Sequence, residues 1–399
     1  MKIGVYGGAF NPPHLGHITA ARAVSGLLKL DKLLVIPTGH PPHKTLPPGS
    51  PGPEQRLELT RLAMEQTGLG EGIEVLDLEL RREGSSYTAD TLAHLRERYP
   101  EDELWLLMGA DMFLTLQTWH EPERILSLAG VAAFGRTEAD TEELFSVQRE
   151  YLCRRYPQAR IFTLSIPGVV DVSSTELRKR LAEGEGGDLL APAAYGYILR
   201  EKLYGTAADL KQLSLEQLRP VALSFLNHRR ISHVLGTEQE ALRLAERWGA
   251  DPDKARRAAL LHDCTKKRNL AEQLETAERF QVPLDDMERR EIKLLHAKTG
   301  AGIAAAVFGT DEEITNAIRW HTTGRGGMTL LEKVIYLADY IEPTRDFPGV
   351  EELRRVCYED LDAGLLLGLE MTIREMESRN APIHPKTLEA RDALKGQRE

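Results

Sequence analysis

Cysteine is scarce in this chain. Three of its 399 residues, Cys153, Cys264 and Cys357, lie far apart and form no CxxC pair. That points away from a disulfide framework and towards a reducing cytoplasm. Long apolar runs are missing too, and none reaches the roughly 18–20 residues of a membrane span. There is no long basic run, and the net charge is −10. Nucleic acid and membrane are therefore not expected partners, although a local cluster gripping phosphates stays compatible with that charge. The opening MKIGVYGGAF reads as a first strand rather than a targeting segment. No internal repeat or low-complexity tract is present. The length allows two or three domains, each with its own core.

Two kinds of periodicity divide the chain. Up to about residue 200, short apolar runs (KIGVYGG, KLLVIPTG, IEVLDLEL, ELWLLMGAD, GVAAFGR, RIFTLSIP) alternate with helical patterns such as PEQRLELTRLAMEQ and TADTLAHLRERY. Such alternation predicts an α/β domain, a parallel sheet covered on both faces, with ligands at the carboxyl ends of the strands. The segment HPPHKTLPPGSPGPEQ is long and rich in Pro and Gly, and reads as a lid over a site. From about residue 214 the pattern is helical only: LEQLRPVALSFLNHRR, TEQEALRLAERWG, DPDKARRAALLHD, DEEITNAIRWH, TLLEKVIYLADYIE and LDAGLLLGLEMTIREMES. Asp251 followed by Pro252, Asp311 and Thr329 are expected helix caps. The resulting division is a first domain over 1–205, a linker over 206–215 and an all-α bundle over 216–399.

In the first domain, GGAFNPPHLGH follows the first strand. Gly7 and Gly8 allow a ligand close to the backbone, and His14 and His17 stand three apart at a helix entrance suited to phosphate. A second helix start, DVSSTELRKR, offers Ser173, Ser174, Thr175 and Arg178. Alone each could be a capped helix; together they look like a pyrophosphate clamp. The pair resembles the HxGH nucleotidyltransferases, which have a Rossmann-like fold. PPHK, SYTADTL and GADMFLTLQTW narrow the resemblance to bacterial nicotinate-mononucleotide adenylyltransferases. It implies ATP with Mg²⁺ served by His14, His17, Ser174 and Arg178, and a nicotinate ring near Tyr87, Thr88 and Trp119. Gly109 and Asp111 would lie close to the nucleotides, and Lys44 and Arg136 would hold the mononucleotide phosphate. Phe134 and Gly135 before Arg136, and His40 in HPPHK, depart from the usual pattern. The alternative is pantetheine-phosphate adenylyltransferase, with the same fold and ATP chemistry. Taken singly, Trp119 is also explained as a core aromatic and Tyr87 as a helix cap.

In the second domain, His262 and Asp263 end an apolar helix in ALLHDCTKK. His233, His296, His321 and Asp339 follow the same habit of polar groups in apolar helical surroundings. So many buried polar groups without partners are costly. One or two divalent ions would satisfy them together. The order H…HD…H…H…D resembles the HD-domain metal phosphohydrolases. HTTG and ADYIEPTR resemble the bacterial branch that splits diadenosine tetraphosphate symmetrically into two ADP. The resemblance implies a two-metal centre held by His233, His262, Asp263, His296, His321 and Asp339, with Asp263 bridging and iron the implied metal. Ligand type alone leaves manganese, cobalt and zinc open. Lys266 and Arg345 are candidates for polyphosphate contact, or solvated surface charges. His228 and His384 are expected in structural or surface roles and Cys264 as an apolar filler. The alternatives are another nucleotide substrate or a non-catalytic nucleotide sensor. Whether the chain forms a homo-oligomer stays open.

Overall fold

The computed structural model describes residues 1–41, 45–135, 140–166 and 172–396. The chain divides into two compact units, Met1–Ala207 and Ala208–Glu399.

The first unit is built on six parallel strands, β1 (Lys2–Gly8), β2 (Lys32–Pro37), β3 (Ile73–Val75), β4 (Glu103–Gly109), β5 (Gly130–Gly135) and β6 (Ile161–Ser165). Their order in the sheet is β3-β2-β1-β4-β5-β6. Between them run α1 (Leu15–Leu28), α2 (Pro53–Met64), α3 (Thr88–Arg98), α4 (Ala110–Phe113), α5 (Pro122–Leu128) and α6 (Glu142–Arg155), followed by α7 (Ser174–Ala182) and α8 (Pro192–Arg200). Alternate residues of each strand face separate cores, as the period of two requires. Ile3, Val5, Leu106 and Met108 enter one buried cluster. Tyr6, Leu107, Ala132 and Phe134 enter the other. Both faces being covered, β1, β2, β4 and β5 are apolar after their first residue. The strand order reverses between β1 and β4, so a crevice opens beyond their carboxyl ends.

IEVLDLEL, expected as a full strand, pairs only over Ile73–Val75. The chain then turns, with the Leu80 N–H donating to Asp77 O. This turn buries Glu79 and brings its carboxyl to Thr91 Oγ1.

The second unit is helical: α9 (Leu215–Leu223), α10 (His228–Trp248), α11 (Pro252–Leu261), α12 (Leu270–Arg279), α13 (Ile292–Phe308), α14 (Glu312–Trp320), α15 (Leu330–Ile341), α16 (Val350–Glu359), α17 (Leu361–Ser378) and α18 (Pro385–Gly396). Helix α10 packs on α11 and α15, and α13 packs on α14. Asp251, Asp311 and Thr329 cap α11, α14 and α15 through their side chains. One boundary differs from expectation. The apolar period runs unbroken from 215 to 230, yet the helix ends at Leu223. Asn227 stops it by accepting from the Arg230 N–H at 3.2 Å, and so starts α10. Helix α10 then continues through Gly236, uniting two segments read as separate. Among the described residues no helix is long and apolar enough to cross a membrane.

Candidate active sites

The crevice between β1 and β4 holds a cavity of about 400 Å³. Gly7 and Gly8 close β1 on one side of it; Gly109 closes β4 on the other, with Asp111 following in α4. A Cβ on Gly7, which lines the cavity, would meet no atom within 4 Å, so a side chain there would project into open space. His14 is the N-cap of α1 and His17 its third residue. The His14 N–H donates to His17 Nδ1 at 3.2 Å, and the two rings lie 3.8 Å apart. Their helix therefore begins in the cavity wall.

Helix α7 begins in the same wall. Ser173 caps it by accepting from the Glu176 N–H at 3.1 Å. Ser173, Ser174, Thr175 and Arg178 all line the cavity. The two helix starts are fastened together: Ser174 Oγ donates to Pro12 O at 3.2 Å, and Arg178 donates to Asn11 O at 2.7 Å. Amide donors and the positive ends of both helix dipoles thus meet at one hollow, an arrangement suited to phosphates.

Tyr87, Thr88 and Trp119 form a further stretch of the wall. Tyr87 starts α3 by its backbone and lies against His120, the ring centroids 4.2 Å apart and the planes tilted by 34°. Trp119 packs against the core while facing the cavity, so the core and site readings of this residue are compatible. Lys44 and Arg136 lie outside the described residues. Of the lid-like segment, Leu46 and Pro47 line the cavity, and Ser50 Oγ accepts from Asn11 Nδ2 at 2.8 Å.

Three contributors to this site went unread in the sequence. Arg56, 1% exposed, donates to the carbonyls of Ala9 (3.1 Å), Thr38 (2.7 Å) and Gly39 (3.4 Å), tying the ends of β1 and β2. Glu79 lines the cavity and accepts from Thr91 Oγ1 at 2.8 Å; burial pushes its carboxyl up to about 7. His120 is the third. Arginine, glutamate and histidine in loops or on helices carry no signal of their own when the contacts that matter come from distant strands.

In the second unit all six expected groups come together. His233 lies on α10, His262 closes α11, Asp263 follows it, His296 lies on α13, His321 closes α14 and Asp339 lies on α15. The four imidazoles and Asp263 are buried. The Nε2 atoms converge: His233 to His262 is 3.4 Å and His296 to His321 is 3.1 Å. Asp263 faces both pairs, Oδ1 at 3.2 Å from His296 Nε2 and Oδ2 at 3.5 Å from His262 Nε2. Asp339 Oδ1 lies 3.1 Å from His233 Nε2. Two groups of three, His233 with His262 and Asp339, and His262 with Asp263 and His321, are tight enough for one ion each.

Burial disfavours the charged form of three of these imidazoles. It holds His262 and His296 well below the usual histidine range and lowers His321 to about 3. Burial alone would raise the Asp339 carboxyl, but the His233 hydrogen bond and the Arg345 guanidinium bring it well below the carboxylate range. Neutral imidazole and ionised carboxylate are the forms that bind a cation.

Three cations edge the cluster. Arg230, which the sequence did not suggest, pairs with Asp263. Lys266 Nζ is 3.0 Å from His296 Nε2, and Arg345 is 2.6 Å from Asp339 Oδ1. Cys264 is buried with its thiol pushed up to about 12. His384 is buried and lies 2.9 Å from Asp285 Oδ2.

Comparison with known proteins assigns each unit to a class. Residues 5–180 match the cytidylyltransferase-like family and residues 230–344 the HD domain. A Shewanella protein (strain ANA-3) named "Probable nicotinate-nucleotide adenylyltransferase" is 39% identical over 216 residues, covering 51% of this chain and 99% of the relative. A Bacillus subtilis (strain 168) protein named "Bis(5'-nucleosyl)-tetraphosphatase, symmetrical" is 43% identical over 173 residues, covering 43% of this chain and 92% of the relative. A protein of that name from Halalkalibacterium halodurans is also 43% identical, over 164 residues, covering 41% of this chain and 87% of the relative. The chain thus belongs to two families, the nicotinate-nucleotide adenylyltransferases through its first half and the symmetrical bis(5'-nucleosyl)-tetraphosphatases through its second. The pantetheine-phosphate alternative is not favoured. An HD-domain hydrolase implies a divalent metal, and the donor set of imidazoles and carboxylates fits one.

Proposed function

We propose that the chain carries two activities. The first unit transfers the adenylyl group of ATP to nicotinate mononucleotide. A phosphate oxygen of the mononucleotide bonds to the α-phosphorus, the bond to the β-phosphate breaks, and pyrophosphate leaves with nicotinate adenine dinucleotide as the other product. Such a reaction requires alignment and neutralised charge more than covalent help. His14, His17, Ser174 and Arg178 meet the triphosphate, with Gly7 and Gly8 letting it approach. Tyr87, Thr88 and Trp119 hold the nicotinate ring, and Asp111 stands beside the nucleotides. Lys44 and Arg136 take the mononucleotide phosphate in this reading, and Mg²⁺ accompanies ATP. The observation that carries it is the joining of two helix N-termini at one cavity.

The second unit hydrolyses diadenosine tetraphosphate symmetrically. Water adds to one of the two central phosphorus atoms, the bridging bond to the other breaks, and two ADP result. His233, His262, Asp263, His296, His321 and Asp339 would hold two ions, and Asp263, whose two oxygens face different histidines, would be the ligand shared between them. When bound, the ions supply positive charge and an acidified water; iron is the metal proposed, with manganese, cobalt and zinc as alternatives. Arg230, Lys266 and Arg345 are placed at the rim to meet polyphosphate. The cytoplasm is the compartment proposed, consistent with three free cysteines.

Purified chain supplied with iron or manganese and diadenosine tetraphosphate tests the second activity by ion-exchange chromatography. ADP as sole product is expected. AMP with ATP would mean asymmetric attack, and no turnover would overturn the assignment. Nicotinate adenine dinucleotide from ATP, nicotinate mononucleotide and Mg²⁺ tests the first.

A further inference from the structure

Three histidines of the C-terminal cluster turn their outer nitrogens to carbonyls of their own helices. His262 Nδ1 is 2.6 Å from Ala259 O and His321 Nδ1 is 2.7 Å from Ile318 O, while His296 bonds the Ile292 backbone. His233 differs. Its Nδ1 lies 3.0 Å from Glu342 Oε1, while its Nε2 faces the cluster. Glu342 is 0% exposed and held from other sides. The Thr344 N–H donates to Oε2 at 2.7 Å and the Thr344 hydroxyl to Oε1 at 2.5 Å.

A second, independent observation lies on α10. Gly236 sits one turn beyond His233, inside a helix, where glycine costs about 1 kcal/mol relative to alanine. It is absent from the positive-φ glycines, so conformational freedom does not explain it. A Cβ at this position would come within 2.5 Å of Glu342 Oε2 and 3.4 Å of Pro343 Cδ. The missing side chain is clearance for the carboxylate.

We propose that Glu342 is a positioning residue for the metal centre, and that Gly236 provides the room it needs. Glu342 keeps the His233 proton on Nδ1 and presents the Nε2 lone pair to the cation. A carboxylate behind an imidazole also strengthens it as a ligand, more than a carbonyl does. Among the four histidines, His233 alone has this support in the described residues. The inference rests on the reading that the cluster binds divalent cations.

The test is Mn²⁺ affinity of the full chain by equilibrium dialysis, for the native protein, Glu342→Gln, Gly236→Ala and the double variant, with metal-free thermal unfolding followed in parallel. Each single variant is expected to bind roughly 10–100-fold more weakly. The double variant is expected to bind no worse than the weaker single, since both act through one carboxylate. Gly236→Ala leaves every polar group of the site in place and reads the same effect if Glu342→Gln does not fold. Native-like affinity in both folded variants overturns the proposal, and additive losses overturn the link between the two residues. A native chain that binds no Mn²⁺ overturns the metal reading beneath it, which is a separate result.

Discussion

The first site is a hollow and the second is a knot. Around the N-terminal cavity the chain presents backbone: two glycines at a strand end, two helix starts, and loops drawn together by the carbonyl contacts of Arg56. The space is larger than any one side chain needs, so the ligand supplies the missing contacts. In the C-terminal cluster the reverse holds. Side chains from five helices crowd within hydrogen-bond distance and leave little room. There the missing component is positive charge, which the proposed ions would bring. A nucleotide can be bound by emptiness with well-placed donors; a small cation has to be bound by convergence.

This contrast can be broken in order of expected effect. Asp263→Ala removes the group facing both halves of the cluster. Tetraphosphate hydrolysis should fall by at least about a thousandfold, while adenylyl transfer survives; loss of both would mean that the units depend on each other structurally. His17→Ala should lower adenylyl transfer by roughly 10²–10³-fold, the scale of one lost preorganised contact to developing charge, and leave ADP formation unchanged. Gly7→Ala tests the hollow directly. A methyl forced into ligand space at ~1–2 kcal/mol should weaken ATP or mononucleotide binding by about tenfold, with thermal stability near native. An unchanged KM for both substrates would place the ligand elsewhere.

The last test reads stability rather than activity and concerns pH. The Glu79 carboxyl is raised from 4.5 to about 7. The folded state then binds more protons than the unfolded state between these values, so stability falls as pH rises through that window. Above it the penalty is about 3 kcal/mol from this group, an order-of-magnitude figure. Glu79→Gln keeps the acceptor for Thr91 and abolishes the titration. Its thermal midpoint should gain on that of the native protein from pH 4.5 to 8, and parallel curves would refute the assignment.

Much of this was legible in the sequence because it obeys periods and spacings. Alternation of strands and helices requires a doubly covered parallel sheet, and the HD pair with its four companions stands out against apolar helices. Asp251, Asp311 and Thr329 act locally, so local reading finds them. What escaped was set by the third dimension. Nothing in LSFLNHRR distinguishes a continuing helix from a break, because Asn227 fits the period and also caps. Glu342 before Pro343 reads as an ordinary helix end until Gly236 and His233 are seen beside it. Arg230 and Arg56 have the composition of surface residues and are drawn inward by partners remote in sequence. The signal that could have exposed Glu342 was the glycine one turn after His233, in a helix that had no need of it.

The groups proposed to bind metal are strung along the chain from His233 to Asp339, on or at the ends of α10, α11, α13, α14 and α15. No short fragment of the bundle holds a complete set, and the unfolded chain offers only scattered donors. An ion seated there is therefore a receipt for finished assembly: a half-made bundle cannot hold it, and a damaged one lets it go. Metal content per chain would then serve as an inventory of how much of a preparation has reached its final shape.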